Sequence, residues 1–108
     1  MQKNHLGEFE ELVLLTVAVM RGEAYGVFVT EDITERTGRP VQISAVHVAL
    51  YRLQEKGLVR SKMGGATKER GGRRKRLFSI TPLGRSVLED IRNTREELWR
   101  LMPRPNPS

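Results

Sequence analysis

The sequence predicts a mainly α protein with a two-stranded β-hairpin wing: a winged helix-turn-helix followed by a C-terminal dimerisation helix. Three observations predict it. Apolar residues recur at helical spacing in several segments over residues 8–56 and again over 83–102, and the period switches to alternation over 58–63 and 77–80. Between Arg60 and Arg76, eight basic residues face a single acid, Glu69. That stretch carries +7, whereas the whole chain of 108 residues carries +6, so the remainder is nearly neutral at −1. A basic patch on a neutral body is the electrostatic footprint of a polyanion binder.

The first helix spans residues 8–20, with Glu8, Glu10 and Glu11 in its first turn, where the helix dipole favours negative charge. Leu12, Leu15 and Val19 form one stripe, and Val13, Leu14, Val17 and Met20 form another on the opposite side. A helix apolar on two sides needs two covers. One is its own domain; the other is expected to be a second copy of the chain, reached through Leu14 and Val17. The second helix covers residues 24–36, with Val27, Val29 and Ile33 as its buried positions, and Gly38 and Pro40 end it. The third covers residues 43–56, where Ile43, Val46, Leu50 and Leu53 share one face and Gly57 stops the helix.

The strands at 58–63 and 77–80 make a long-looped hairpin with glycines and a basic tip in the connection. A two-stranded ribbon is not stable alone and must pack on the helices. Thr81 and Pro82 then start the last helix, Thr as the cap and Pro at the first position. The expected organisation is a DNA-binding domain over residues 1–82, a dimerisation helix over 83–102 and a flexible tail over 103–108, where three prolines alternate.

In a helix-turn-helix the second helix of the pair enters the major groove. Here that helix turns Ser44, Ala45, Val48, Tyr51 and Arg52 away from its core face, with His47 on the flank and Gln42 just before its start. Small residues permit close approach, Val48 suits a thymine methyl, and Arg52 can hold a phosphate or a guanine. His47 suits a hydrogen bond to a phosphate or base, and the competing role is a histidine bonded to nearby backbone. Lys68, Arg70, Arg73, Arg74, Lys75 and Arg76 supply the wing's phosphate contacts.

The terminal helix carries the apolar stripe Val87, Ile91, Leu98, Leu101 and Met102. A helix of about 20 residues is ~30 Å long, more than a small domain needs to cover itself, so the stripe is expected to meet a partner subunit. Trp99 is either an anchor there or one wall of a pocket for a small apolar or aromatic effector.

Several classes are excluded. With no cysteine and two histidines, the chain offers no disulfide framework, thiol nucleophile or usual zinc site, so no metal and no cofactor are expected. The apolar run at residues 12–20 is shorter than the ~20 residues a membrane span needs and lacks a basic leader, so a cytoplasmic protein is expected. The stretch Gly64-Gly65-Ala66-Thr67-Lys68 lacks the spacing of a phosphate loop, and no acid-base or nucleophile constellation emerges, so an enzyme is not expected.

Four segments, in order, resemble the PadR-like transcriptional regulators. They are Leu6-Gly7-Glu8-Phe9-Glu10 with the apolar run after it, Ala24-Tyr25-Gly26-Val27, the run from Val46-His47-Val48-Ala49-Leu50-Tyr51 to Gly57-Leu58-Val59, and Gly71-Gly72-Arg73-Arg74-Lys75-Arg76-Leu77-Phe78 continuing to Thr81-Pro82-Leu83-Gly84. The resemblance implies a dimeric winged-helix regulator, usually a repressor, paired through its C-terminal helix and in many members released from DNA by a small molecule. His47 stands where the family usually has tyrosine, and Gln42 where a serine or threonine cap is common. The single helix after the wing resembles the family's minimal subgroup. A different class of function, a winged-helix adaptor whose basic wing meets an acidic protein, shares the fold and charge pattern. An RNA-binding role is less favoured because no aromatic stacking platform is visible.

Overall fold

The computed structural model describes residues 5–64 and 75–105. The wing positions Lys68, Arg70, Arg73 and Arg74 lie outside the described residues. The element order is α1 (Glu8–Val19), α2 (Gly26–Thr37), α3 (Ile43–Glu55), β1 (Val59–Met63), β2 (Arg76–Ile80) and α4 (Pro82–Leu101), four helices and an antiparallel hairpin as the sequence predicts.

Helix ends follow local chemistry. Gly38 closes α2 at φ 72°, and Gly57 follows α3 at φ 79°, left-handed conformations that glycine adopts without steric penalty. Thr81 caps α4 by accepting from the Gly84 amide at 3.0 Å, while its hydroxyl donates to the Gly57 carbonyl at 2.7 Å. The end of α3 and the start of α4 are thereby tied through one side chain.

The core forms where α1, α2 and α3 meet the inner face of the hairpin. Leu14, Val17, Ile33, Leu50, Leu58 and Phe78 are among its buried members. β1 pairs with β2 in the register Val59↔Ile80, Arg60↔Ser79 and Ser61↔Phe78. Alternation therefore turns Val59, Phe78 and Ile80 inward and Arg60, Lys62, Leu77 and Ser79 outward. Just before α2, Ala24 adds a bridge to Phe78, whose amide donates to the Ala24 carbonyl at 2.7 Å. This fixes the hairpin to the entry of α2.

Packing corrects several sequence expectations. Leu14 and Val17, expected at a subunit interface, are fully buried within the chain, because α1 turns Val13, Leu14, Thr16 and Val17 toward α2 and α3. The side left exposed is the other stripe, where Leu15 is 43% and Val19 is 61% exposed. Thr16 is tolerated inside because its hydroxyl donates to the Leu12 carbonyl at 2.8 Å. Val27 is exposed, where the sequence reading buries it, and Ile43, which shares a face with Val46, Leu50 and Leu53 by periodicity, is exposed while the small Ala49 takes a core place. Ile43 is the first residue of α3, one turn before its first buried position, Val46.

α4 divides along its length. Val87 and Leu88 pack on the core and Ile91 is half-buried, whereas from Arg92 onward every described residue is exposed. The radius of gyration, 16.6 Å, exceeds the ~13 Å expected of a compact chain of this size, as a projecting helix requires. Among the described residues no helix is long and apolar enough to cross a membrane, and no group of side chains is arranged to hold a metal ion.

Candidate nucleic-acid interface

α3 buries Val46, Ala49, Leu50 and Leu53. Ser44, Ala45, Val48 and Tyr51 are exposed, as the sequence reading has them, and together they present a low, mostly uncharged surface. Gln42, at the N-cap position, makes no side-chain capping bond. Its amide is not committed to the helix end, and the first turn of α3 holds no acid that would repel a phosphate.

His47 and Tyr51 lie one turn apart on the flank toward the hairpin. Their rings are 6.5 Å apart between centroids and nearly parallel, and Tyr51 meets Phe78 edge-on at 6.1 Å. An edge-to-face pair adds about 0.5–1.5 kcal/mol beyond area burial, so Tyr51 locks α3 to the hairpin as well as facing outward. His47 rests against the first residue of α2. A Cβ on Gly26 would fall 2.7 Å from its Nε2, so glycine lets the ring lie this close, and a larger residue would require the ring to turn aside.

Two cations of the second strand and its approach, Lys75 and Arg76, are anchored. Arg76 Nη1 donates to Ser61 Oγ at 3.0 Å, and Ser61 Oγ donates to Gln54 Oε1 at 2.7 Å. This chain of two bonds runs from the hairpin to α3. Lys75 Nζ lies 4.4 Å from the centroid of the Tyr25 ring and 3.4 Å from its hydroxyl, and Tyr25 packs on Phe28 with centroids 4.4 Å apart. Lys75 and Arg76 therefore mount the base of the wing on α2 and α3, beside the exposed face of α3. On the outward side of the hairpin, Arg60 and Lys62 share a hollow of about 560 Å³ with Arg21, a non-glycine residue at φ 55°.

Arg52 stands at the other flank of α3. Its Nη1 is 3.8 Å from Glu10 Oε2, while Lys56 Nζ donates to Glu10 Oε1 at 2.9 Å and to the His5 carbonyl at 2.9 Å. Sequence reasoning puts Gln54 on the flank of α3 beside His47 but misses its bond to Ser61, and it misses the ion pairs of Glu10. Glu10 carries a signal as a first-turn acid, but its partners 42 and 46 residues away have none in the local pattern. Ser61 could be placed beside α3 from the alternation that buries Phe78.

The positions expected at a dimer contact are split between the two halves of α4. Val87 and Ile91 are half-buried, whereas Leu98, Leu101 and Met102 are 61%, 70% and 53% exposed and Trp99 is 70% exposed. α4 is braced on α1 by Arg95 Nη2, 2.9 Å from Glu11 Oε1.

The fold is one seen repeatedly among solved structures. A PadR-like regulator from Bacillus cereus matches with a TM-score of 0.70 at 17% identity, over 86% of this chain and 85% of that one. A PadR family regulator from Eggerthella lenta matches with a TM-score of 0.66 at 22% identity, over 86% and 80%. PadR of Bacillus subtilis, solved in complex with operator DNA, matches with a TM-score of 0.63 at 19% identity, over 94% of this chain and 51% of that longer one. No curated protein matches the chain. The sequence model of the transcriptional regulator PadR-like family matches residues 14–90, which run from α1 through the hairpin into α4. That family consists of transcription regulators and not of enzymes, and this chain belongs to it.

Proposed function

We propose that this chain is a cytoplasmic, homodimeric repressor that binds double-stranded DNA sequence-specifically, with α3 in the major groove and the wing on phosphates. The observation that carries the reading is the placement of the exposed, small-residue face of α3 beside the base of a strongly cationic hairpin. A neutral face between charged flanks suits base edges lying between phosphates. That the Bacillus subtilis relative was solved in complex with operator DNA supports duplex DNA as the partner.

Two features support the dimer. Val87, Ile91, Leu98 and Leu101 fall on one side of α4, and its distal half projects with its large apolar residues exposed. On α1, the exposed Leu15 lies beside Leu12 in a groove bordered by Arg95, which suits the projecting helix of a second copy. A two-fold axis then predicts a pseudo-palindromic site with half-sites roughly 34 Å, or a multiple, apart. Release by a small apolar or aromatic effector would act at Trp99, the one aromatic side chain of α4.

Titration of the purified protein against duplex from its own upstream region and against scrambled duplex tests the reading. The expected result is tighter binding to the own-site duplex, by about three orders of magnitude. Absence of duplex binding at low salt would overturn it and favour the protein-interaction adaptor.

A further inference from the structure

Glu10 and Arg52 join the first turn of α1 to the recognition helix, and we propose that Glu10 is an internal substitute for a DNA phosphate. In the free protein it holds the Arg52 guanidinium; on binding, Arg52 exchanges onto the backbone and Glu10 stays behind with Lys56. The inference rests on the DNA-binding reading and deepens it by naming a residue, away from the DNA-facing surface, that sets affinity.

The geometry distinguishes the two cations. Lys56 is 31% exposed in its side chain and has two acceptors at 2.9 Å, Glu10 and the His5 carbonyl. Arg52 is 66% exposed, and its contact with Glu10, at 3.8 Å, is long for a hydrogen bond. Lys56 is the fixed partner and Arg52 the loose one. The Glu10 side chain is only 14% exposed, and a carboxylate so placed is costly to leave without a cation. Because Lys56 remains, Arg52 can depart without creating that state.

Arg52 also lies where the exchange is useful. It follows Val48 by one turn of α3, so it flanks the face proposed to enter the groove. A phosphate presents two oxygens to the planar guanidinium and competes well with one distant carboxylate oxygen. Arg52 and Lys56 are like charges one turn apart, and the carboxylate between them relieves their repulsion in the free protein. Arg52 is thereby assigned to the backbone rather than to a guanine, and every duplex the protein meets must compete with Glu10 for it.

A double-mutant cycle tests this. Glu10→Gln is expected to raise affinity for own-site and scrambled duplex alike by about two- to fivefold, the range an exposed ion pair supplies. In an Arg52→Gln background the same substitution is expected to give no gain. A gain of equal size without Arg52 would mean that loss of any negative charge suffices, and would overturn the proposal. So would a fall or no change in affinity on Glu10→Gln, which would make Glu10 an aid to Arg52 or a bystander. Thermal melts of each variant separate these outcomes from loss of fold, since Gln keeps an acceptor for Lys56. If the native chain bound no duplex at all, the DNA-binding reading itself would fall, and this proposal with it.

Discussion

Replacing Gly84 with alanine is expected to destabilise the protein by about 3 kcal/mol, at the upper end of overpacking costs because the obstruction is backbone. A Cβ at this position would collide with the Leu58 carbonyl oxygen and would lie 2.8 Å from Ile80 Cγ1. Neither neighbour can move freely. The Leu58 carbonyl accepts from the Thr81 amide at 3.0 Å, and Leu58 and Phe78 sit in the core between α3 and the hairpin. Relief would require the first turn of α4 to lift away, breaking the Thr81 cap and uncovering Val87 and Leu88. For a domain of this size the loss corresponds to a fall in Tm on the order of 10–20 °C. A thermal or urea melt checks it. A fall of under about 3 °C would show that the start of α4 is not pressed on the Leu58 backbone as described.

Leu98→Asp is expected to convert the proposed dimer to monomers without unfolding them. Leu98 is 61% exposed in the single chain, so its own domain gives up little buried area on substitution. In a dimer with α4 at the interface, each copy would place an unpaired carboxylate against the apolar surface of the other. Burying such a charge without a partner costs several kcal/mol, enough to shift a modest interface from dimer to monomer at micromolar concentration. Light scattering should report half the native mass, with the helical circular dichroism spectrum unchanged. An unchanged mass would remove the distal part of α4 from the interface.

Gly84 and Leu98 differ in how far a sequence can disclose their roles. Leu98 is legible as part of an apolar stripe, and periodicity likewise places all four helices and both strands within a few residues. Gly38, Gly57, Thr81 and Pro82 are legible as punctuation because their chemistry is local. The outward face of α3 is legible for the same reason: one core face fixes the opposite one. The two faces of α1 are not. Leu12, Leu15 and Val19 form as good a stripe as Val13, Leu14 and Val17, and only the packing of α2 and α3 decides which is buried. Ile43 and Val27 mislead because burial near a helix end depends on where neighbouring elements stop. The roles of Gly26 and Gly84 are legible only in three dimensions, where a ring or a carbonyl occupies the space of a Cβ.

Electrostatics behaves similarly. The concentration of charge at 60–76 is plain in the sequence, but Lys75 over Tyr25, Arg76 on Ser61 and Arg52 on Glu10 are not. Each joins residues from separate elements. These contacts divide the basic residues into those that mount the wing and those available to a polyanion.

In the proposed complex the wing holds phosphates while α3 reads bases, and this division of labour has a thermodynamic signature. It can be read from the salt dependence of binding to own-site and scrambled duplexes, for the native protein, for Arg73→Glu with Arg74→Glu, and for Ser44→Ala. The wing variant is predicted to weaken both duplexes alike and to flatten the slope of log K against log salt by about 0.9 for each phosphate no longer neutralised. Ser44→Ala is predicted to leave the slope unchanged and to alter the preference between duplexes. Equal effects of the two substitutions on preference and on slope would contradict the division.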